Sequence, residues 1–329
     1  MKLSGPLLMA GCVLALSTIA PIPQRSGRAY VSNELSHDVS VIDLATNRVL
    51  RTIPVGGRAR GIQPSPDGRR VYVATSDDNL RGEGATDGIA VIDVATNTMV
   101  ARYPAGSDPE QFAVTPDGLR VYASNEDGGT ATAIDTRTGK RIATLVVGIE
   151  PEGVAVSADG RSVAVTSETS NTLSIIDTRA EKVVDNLLVD LRPRAAAFSR
   201  DGTRLYVTAE GGGSLTVIEA HTREQLTTVP IDHGEGKPVG VVVSPDGRRI
   251  YVAAGRTGSV FVIDATTNAI VGSIPVGKRP WGIAISADGR RLYVANGLSN
   301  TMSVIDLATS RVTATVGVGK KPWGVAILP

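Results

Sequence analysis

The chain has 329 residues, 42% of them hydrophobic but only 4% aromatic, so it can build a sizeable core that must be largely aliphatic. Lys and Arg number 34 against 33 Asp and Glu, which excludes a surface that is basic throughout, as a dedicated nucleic-acid or membrane binder would have. One cysteine, Cys12, excludes a disulfide scaffold, a thiolate zinc site, an iron–sulfur cluster and a c-type haem attachment within this chain.

In chain order, the first feature reads as an address. Lys2 supplies a short positive region, Leu7 to Ala20 is mostly apolar, and no acidic residue occurs before Glu34. This pattern predicts a secretory signal followed by a short linker over residues 1–27, and a periplasmic or secreted destination. The segment Leu8-Met9-Ala10-Gly11-Cys12 resembles a lipoprotein box, so a lipid anchor on Cys12 is the alternative; otherwise Cys12 is one more apolar residue of the signal.

From residue 28 the chain repeats. A hydrophobic stretch ending in an acid occurs at Asp43, Asp93, Asp135, Asp177, Glu219, Asp264 and Asp306, at intervals of 50, 42, 42, 42, 45 and 42 residues. An Asp-Gly turn recurs at Asp67, Asp117, Asp159, Asp201, Asp246 and Asp288. Each unit reads as four short strands joined by turns in which Gly supplies positive φ. The 36 glycines and 18 prolines are the turn residues that so many strands require. Four strands at a period near 42 predict an all-β, seven-bladed β-propeller over residues 28–329. The chain starts at a second strand (Arg28 to Ser32) and stops after a first strand (Gly324 to Leu328). Those two strands must therefore share one blade, which also removes free sheet edges. Blade 2 carries 8 extra residues within Ser76 to Gly88, and 3 extra residues fall near His233-Gly234-Glu235.

Repeat alignment also places a candidate site. In a propeller, the loops entering first strands and those leaving second strands share one face. Just before the first strand, in blade order 1 to 7, stand Trp323, Arg60, Glu110, Glu152, Arg194, Val239 and Trp281. At the end of the second strand stand Glu34, Ser76, Glu126, Glu168, Glu210, Gly255 and Gly297. Blades 3 and 4 thus present an acidic sector (Glu110, Glu126, Asp127, Glu152, Glu168). Blades 7 and 1 present Lys278-Arg279-Pro280-Trp281 and Lys320-Lys321-Pro322-Trp323, which hold both tryptophans. Trp beside Lys or Arg suits stacking, cation–π contact and interface anchoring. The ligand- or partner-binding set predicted from these positions is Arg60, Glu110, Glu126, Glu152, Glu168, Arg194, Lys278, Arg279, Trp281, Lys320, Lys321 and Trp323. Clustered carboxylates raise one another's pKa, which makes Glu126, Glu152 and Glu168 the candidates for acid–base catalysis. The alternative is that Pro-Trp-Gly is a packing element and the charges are solvated. The acidic blade 2 insertion lacks an EF-hand pattern, and His37, His221 and His233 are not at metal-ligand spacing, so no metal is expected.

Tyr-Val-Ala-Asn, Ser-Val-Ile-Asp and Pro-Trp-Gly-Ile segments at this spacing resemble the YVTN-repeat β-propellers. Asp108-Pro109-Glu110-Gln111-Phe112 followed by Asn125-Glu126-Asp127, with the secretory start, is most similar to the PQQ-dependent catabolism-associated β-propeller proteins. That resemblance implies a binding or scaffold protein accessory to quinoprotein alcohol oxidation, with a periplasmic dehydrogenase or cytochrome as partner. The chain lacks the tryptophan docking pattern of quinoprotein enzymes, so no cofactor is expected in it, and a monomer is favoured. Related propellers include lactonases and lyases, which makes a hydrolase or lyase using the mouth carboxylates the first alternative. Single-stranded nucleic-acid binding through the Trp/Lys loops is the second, opposed by the balanced charge.

Overall fold

The computed structural model describes Met1, residues 27–77 and residues 82–328. The expected signal, Cys12 and the insertion residues Asp78 to Arg81 lie outside the described residues. Seven four-stranded antiparallel sheets are arranged in a ring, with first strands packed successively against one another until the last meets the first. Blade 4 is typical: Pro151–Val156, Ser162–Ser167, Thr172–Asp177 and Lys182–Leu188 run from the axis outward. The ring closes as the repeat demands. Pro322–Leu328 pairs with Arg28–Asn33, in a register that sets Ala29 opposite Ile327 and Val31 opposite Val325.

Burial follows position. Middle strands are buried on both faces between neighbouring blades, and Tyr30, Tyr122, Tyr206 and Tyr293 are fully buried there. Outer strands alternate or lie exposed, as in Lys182–Leu188. The turns on one face are built by carboxylates. At the first, the Ser65 hydroxyl donates to Asp67 at 2.5 Å and the Arg69 N–H donates at 3.0 Å, across Gly68 at φ 67°. The Ser65 hydrogen bond, with that of Arg69, holds the Asp67 carboxyl below the usual aspartate range. The extra residues between blades 5 and 6 form a short 3₁₀ turn, Ile231–Gly234. Buried Asp87 anchors the blade 2 insertion by accepting the Asp77 N–H and the Gly84 N–H, both at 2.9 Å.

One irregularity recurs in every blade and faces the axis. Each first strand slips register against its second strand within its first few residues. In blade 3, Pro109 pairs with Asn125 and Phe112 with Ala123, so Glu110 and Gln111 together oppose one residue, Ser124. In blade 5 the extra residue is Arg194, and in blade 1 it is Trp323. These are β-bulges, which re-aim a side chain that strand alternation would otherwise fix.

A hydroxyl on the second strand replaces the lost ladder bond. Ser124 accepts the Gln111 N–H at 3.1 Å and donates to the Glu152 carbonyl of the next blade at 2.6 Å. Thr166 accepts the Gly153 N–H at 2.8 Å and donates to the Arg194 carbonyl at 3.3 Å. Ser32 and Thr208 repeat the arrangement toward Arg60 and Val239. The residue after the bulge is Gly in several blades because the neighbour leaves no room. A Cβ on Gly153 would lie 2.4 Å from the Arg194 carbonyl oxygen, and one on Gly282 would lie 2.4 Å from that of Trp323.

The hydroxyl latch is directly testable. Ser124→Ala leaves a buried N–H and a buried carbonyl without this partner and is expected to lower unfolding stability by about 1–3 kcal/mol in urea denaturation. A loss no larger than that of a surface Ser→Ala control would show that the latch does not hold the ring.

Candidate functional site

Three tiers of residues surround the mouth of the axis. The first is the residue before the proline that opens a first strand. Asp108, Glu150, Arg192, Lys237, Arg279 and Lys321 all have positive φ, between 48° and 55°, which is unusual for residues other than glycine. Their carbonyls accept the N–H of the residue that follows the second strand: Glu126 to Asp108 at 3.0 Å, Glu168 to Glu150 at 2.8 Å, Glu210 to Arg192 at 2.8 Å and Glu34 to Lys321 at 3.0 Å. The backbone strain is thus offset by a hydrogen bond that fixes the neighbouring acid. The second tier is the bulge residue. The third is the acid after the second strand.

The tiers enclose a cavity of about 490 Å³. Of the residues expected from the sequence, Arg60, Glu110, Glu126, Glu152, Glu168, Arg194, Arg279, Trp281, Lys321 and Trp323 line it together. Lys278 and Lys320 do not line it and are exposed. Glu34, Glu150 and Arg192 also line it, while Asp108 and Glu210 pair with its arginines. Repeat position marks Glu34 and Glu210 without assigning them to the site. The pre-proline residue of each repeat is the signal that would find Asp108, Glu150 and Arg192.

Among the described residues, blades 3 and 4 present only acids to the cavity, and these are paired by arginines of the flanking blades 2 and 5, with Glu110, Glu152 and Glu168 buried rather than solvated. Arg60 reaches Glu34 at 3.4 Å, Asp108 at 3.3 Å and Glu126 at 3.5 Å, and also contacts Glu110. Arg194 bonds Glu210 at 2.7 Å and contacts Glu152 and Glu168. Arg279 bonds Glu210 at 2.9 Å, Lys321 bonds Glu34 at 2.8 Å, and Arg192 bonds Glu168 at 2.7 Å. Arg60, Glu110, Glu152, Glu168 and Glu210 are all less than a tenth exposed. Carboxylate oxygens of Asp108, Glu110 and Glu126 lie within 4.8 Å of one another, a spacing that could hold a cation. The Arg60 guanidinium already bridges all three.

The two tryptophans form the remaining wall. Their rings lie 6.0 Å apart, and the Trp281 ring carries the Arg279 guanidinium at 4.7 Å and that of Arg194 at 5.6 Å.

Burial sets the acid–base character. Desolvation pushes the Glu152 carboxyl up to about 8; Arg194 opposes the shift, and Glu126 and Glu168 reinforce it. Desolvation also raises Glu126, against Arg60 and with Asp108. At Glu210 burial acts in the same direction, but Arg194 and Arg279 outweigh it and hold the carboxyl low. The mouth therefore sets a protonated carboxyl, ionised carboxylates and a shared guanidinium around one space. Such a set can donate a proton, accept one and stabilise developing negative charge.

A family defined as seven-bladed β-propeller lactonases matches residues 22–144 and 191–323. The unmatched stretch carries Glu150, Glu152 and Glu168. Among solved structures, the fold is similar to that of a functionally unknown protein from Desulfotomaculum acetoxidans (20% identity, TM-score 0.78, covering 92% of this chain and 99% of that one). It is also similar to a candidate 6-phosphogluconolactonase from Bacteroides uniformis (18% identity, TM-score 0.77, covering 93% and 100%). A third is Kuenenia stuttgartiensis hydrazine synthase (20% identity, TM-score 0.74, covering 90% and 99%). Identities this low carry the fold and no activity. No curated protein matches the chain.

The raised Glu152 carboxyl has a consequence for stability. Its folded pKa lies above its ordinary value of 4.5, so its stabilising contribution is complete below that pH and is lost as pH rises to about 8. Glu152→Gln copies the protonated form. It is expected to flatten the fall in melting temperature across this window, read by circular dichroism at a series of pH values; an unchanged slope would contradict it. Arg194→Met should do the opposite and cost about 3–5 kcal/mol, because it leaves three buried acids without their shared cation.

Proposed function

The chain belongs to the seven-bladed β-propeller lactonase family, and from that premise we propose that it hydrolyses a lactone at the mouth of its axial channel. The observation that carries this reading is the buried Glu152 carboxyl, raised to about 8, set against Arg194 in the floor of the cavity. In this proposal Glu126, raised yet partly open to water, takes a proton from a water molecule whose oxygen adds to the lactone carbonyl carbon. Arg194 faces the oxyanion that forms. When the tetrahedral adduct collapses, the acyl–oxygen bond breaks and Glu152 gives its proton to the departing ring oxygen. The proton held by Glu126 returns to Glu152 through solvent, leaving a hydroxy acid.

Electrostatics narrow the substrate. Six acids and five cations line the cavity among the described residues, and every one of those cations is engaged by an acid. With Glu152 protonated, the lining is balanced. A phosphorylated sugar lactone, which the names of the Bacteroides relatives indicate for those proteins, would demand surplus positive charge; a neutral lactone does not.

The accessory role beside quinoprotein alcohol oxidation rests on the YVTN resemblance, and the family match favours hydrolysis over it. A periplasmic or secreted destination is proposed from Lys2 and the apolar run to Ala20. Export of the full chain with removal of that segment, read by N-terminal sequencing, would support it; an intact cytoplasmic N-terminus would refute it.

The activity is tested on a panel of neutral lactones. Glu152→Gln and Glu126→Gln are each expected to lower kcat by about 10²–10⁴-fold. The wild-type rate should also fall as Glu152 ionises near pH 8, a limb that Glu152→Gln lacks. Full activity in Glu152→Gln would remove the proposed acid.

A further inference from the structure

Below the mouth, the axis holds a second cavity of about 370 Å³. Glu152, Arg194, Trp281 and Trp323 line both spaces, so these four form the throat between them. Below the throat the lining changes character. It is built from first strands, and Glu152 and Arg194 are the only charged residues that touch it among the described residues. Its polar side chains are two glutamines. Gln63 donates to the Phe112 carbonyl at 2.8 Å and accepts the Val114 N–H at 3.3 Å, while Gln111 accepts the Phe112 N–H at 3.1 Å. Both are thus engaged with backbone.

The aliphatic wall is unevenly covered. On blades 3 and 4 the first strands are almost wholly buried. On blades 5, 6 and 7, Ala195, Ala196, Val241, Val242, Ile283 and Ala284 are only half-buried, and all six line the channel. These alkyl groups present an uncharged, apolar side-chain surface to the axis beside the backbone of the first strands, a lining suited to an apolar ligand group. At its far end the channel shares Ile285 and Ile327 with an open hollow on the opposite face, so a chain entering from the mouth is not stopped by a closed floor.

We infer that the axial channel is a binding site for an unbranched alkyl chain, and that the substrate is a neutral lactone whose tail passes through the throat lined by Glu152, Arg194 and the Trp281–Trp323 pair. The substrate class rests on the hydrolase reading above; the alkyl site rests on the channel lining. Continuity of the two cavities places a ring at the charged mouth and its substituent against the half-buried aliphatic wall. The balanced charge of the mouth and the near-absence of charge below it oppose a sugar phosphate or a polyanion in this space.

The test is a series of neutral lactones with tails from methyl to octyl, assayed on the wild-type chain and on Ala196→Leu and Ala284→Leu. These residues lie on separate blades outside the proposed catalytic set. KM is expected to fall by about fourfold for each methylene that enters the channel. Each variant should abolish most of that gain while turning over the methyl lactone at the wild-type rate, which also verifies folding. Hydrolysis with a KM independent of tail length would overturn the alkyl site and leave the hydrolase reading standing. If no lactone is hydrolysed, calorimetric binding of a series of neutral fatty alcohols decides the site alone. Affinity that rises with chain length and is lost in the Leu variants supports it, and affinity independent of length overturns it. Should either variant fail to fold, the dependence of the wild-type chain on tail length still separates these two outcomes.

Discussion

The β-bulge at the start of every first strand is the constraint on which the rest of this molecule depends. A four-stranded blade with unbroken alternation would send its inner side chains only toward the neighbouring blades. The bulge lifts one residue per blade out of that alternation and turns it to the mouth. It also leaves backbone groups unpaired, which is intolerable at full burial. Ser32, Ser124, Thr166 and Thr208 resolve this by accepting the orphaned N–H and donating to the bulge carbonyl of the next blade. The same bond therefore satisfies one blade and fixes its distance to the next. Gly153, Gly240 and Gly282 permit that distance, since a Cβ at any of them would strike the following bulge carbonyl.

With the backbone arranged so, seven bulge residues and their flanking tiers converge whatever their chemistry. Here that chemistry is strongly ionic on blades 1 to 5. Removing so many charges from water costs several kcal/mol per ion, and burial between blades offers no solvent to relieve it. Arg60 and Arg194 make the arrangement tenable because one planar guanidinium offers donors to several carboxylates at once. Ionisation is not complete even so. Glu152 shares Arg194 with Glu168 and Glu210, and burial wins there, leaving its carboxyl raised. A proton donor thus arises because burial of Glu152 outweighs its attraction to Arg194, while Glu168 and Glu210 each have a further arginine, Arg192 and Arg279.

The tryptophans complete the enclosure from the other side. Trp281 and Trp323 stand at bulge positions like the arginines and acids, and their rings contact each other and the Arg279 and Arg194 guanidinia. They form the boundary between an ionic mouth and an aliphatic channel, a place suited to a side chain with a large apolar face. The family match favours the proposed lactone hydrolysis, while the balanced lining and the alkyl side chains of the channel bear on the kind of molecule that proposal admits.

The strand count, the seven-fold repeat and the closure of the last strand onto the first were legible in the chain. They depend on local turn chemistry and on a period that Asp43, Asp93 and their successors mark. Repeat position likewise named Arg60, Glu110, Glu152, Arg194, Trp281 and Trp323 as neighbours at the mouth, because equal positions in equal blades must form a ring. The sequence could not separate Lys278 and Lys320, which turn outward, from Arg279 and Lys321, which turn in. That distinction accompanies the positive φ of the residue before each proline, whose carbonyl is held by the N–H that follows the second strand. Nor could it reveal that the acids of blades 3 and 4 pair with Arg60 and Arg194 of the flanking blades. Arg194 lies 42 residues from Glu152 and 16 from Glu210 along the chain, and only the packing of adjacent blades places one guanidinium between them. Whether a carboxylate is solvated, paired or held protonated is set by its burial weighed against the cations within reach, and both exist only in the tertiary structure.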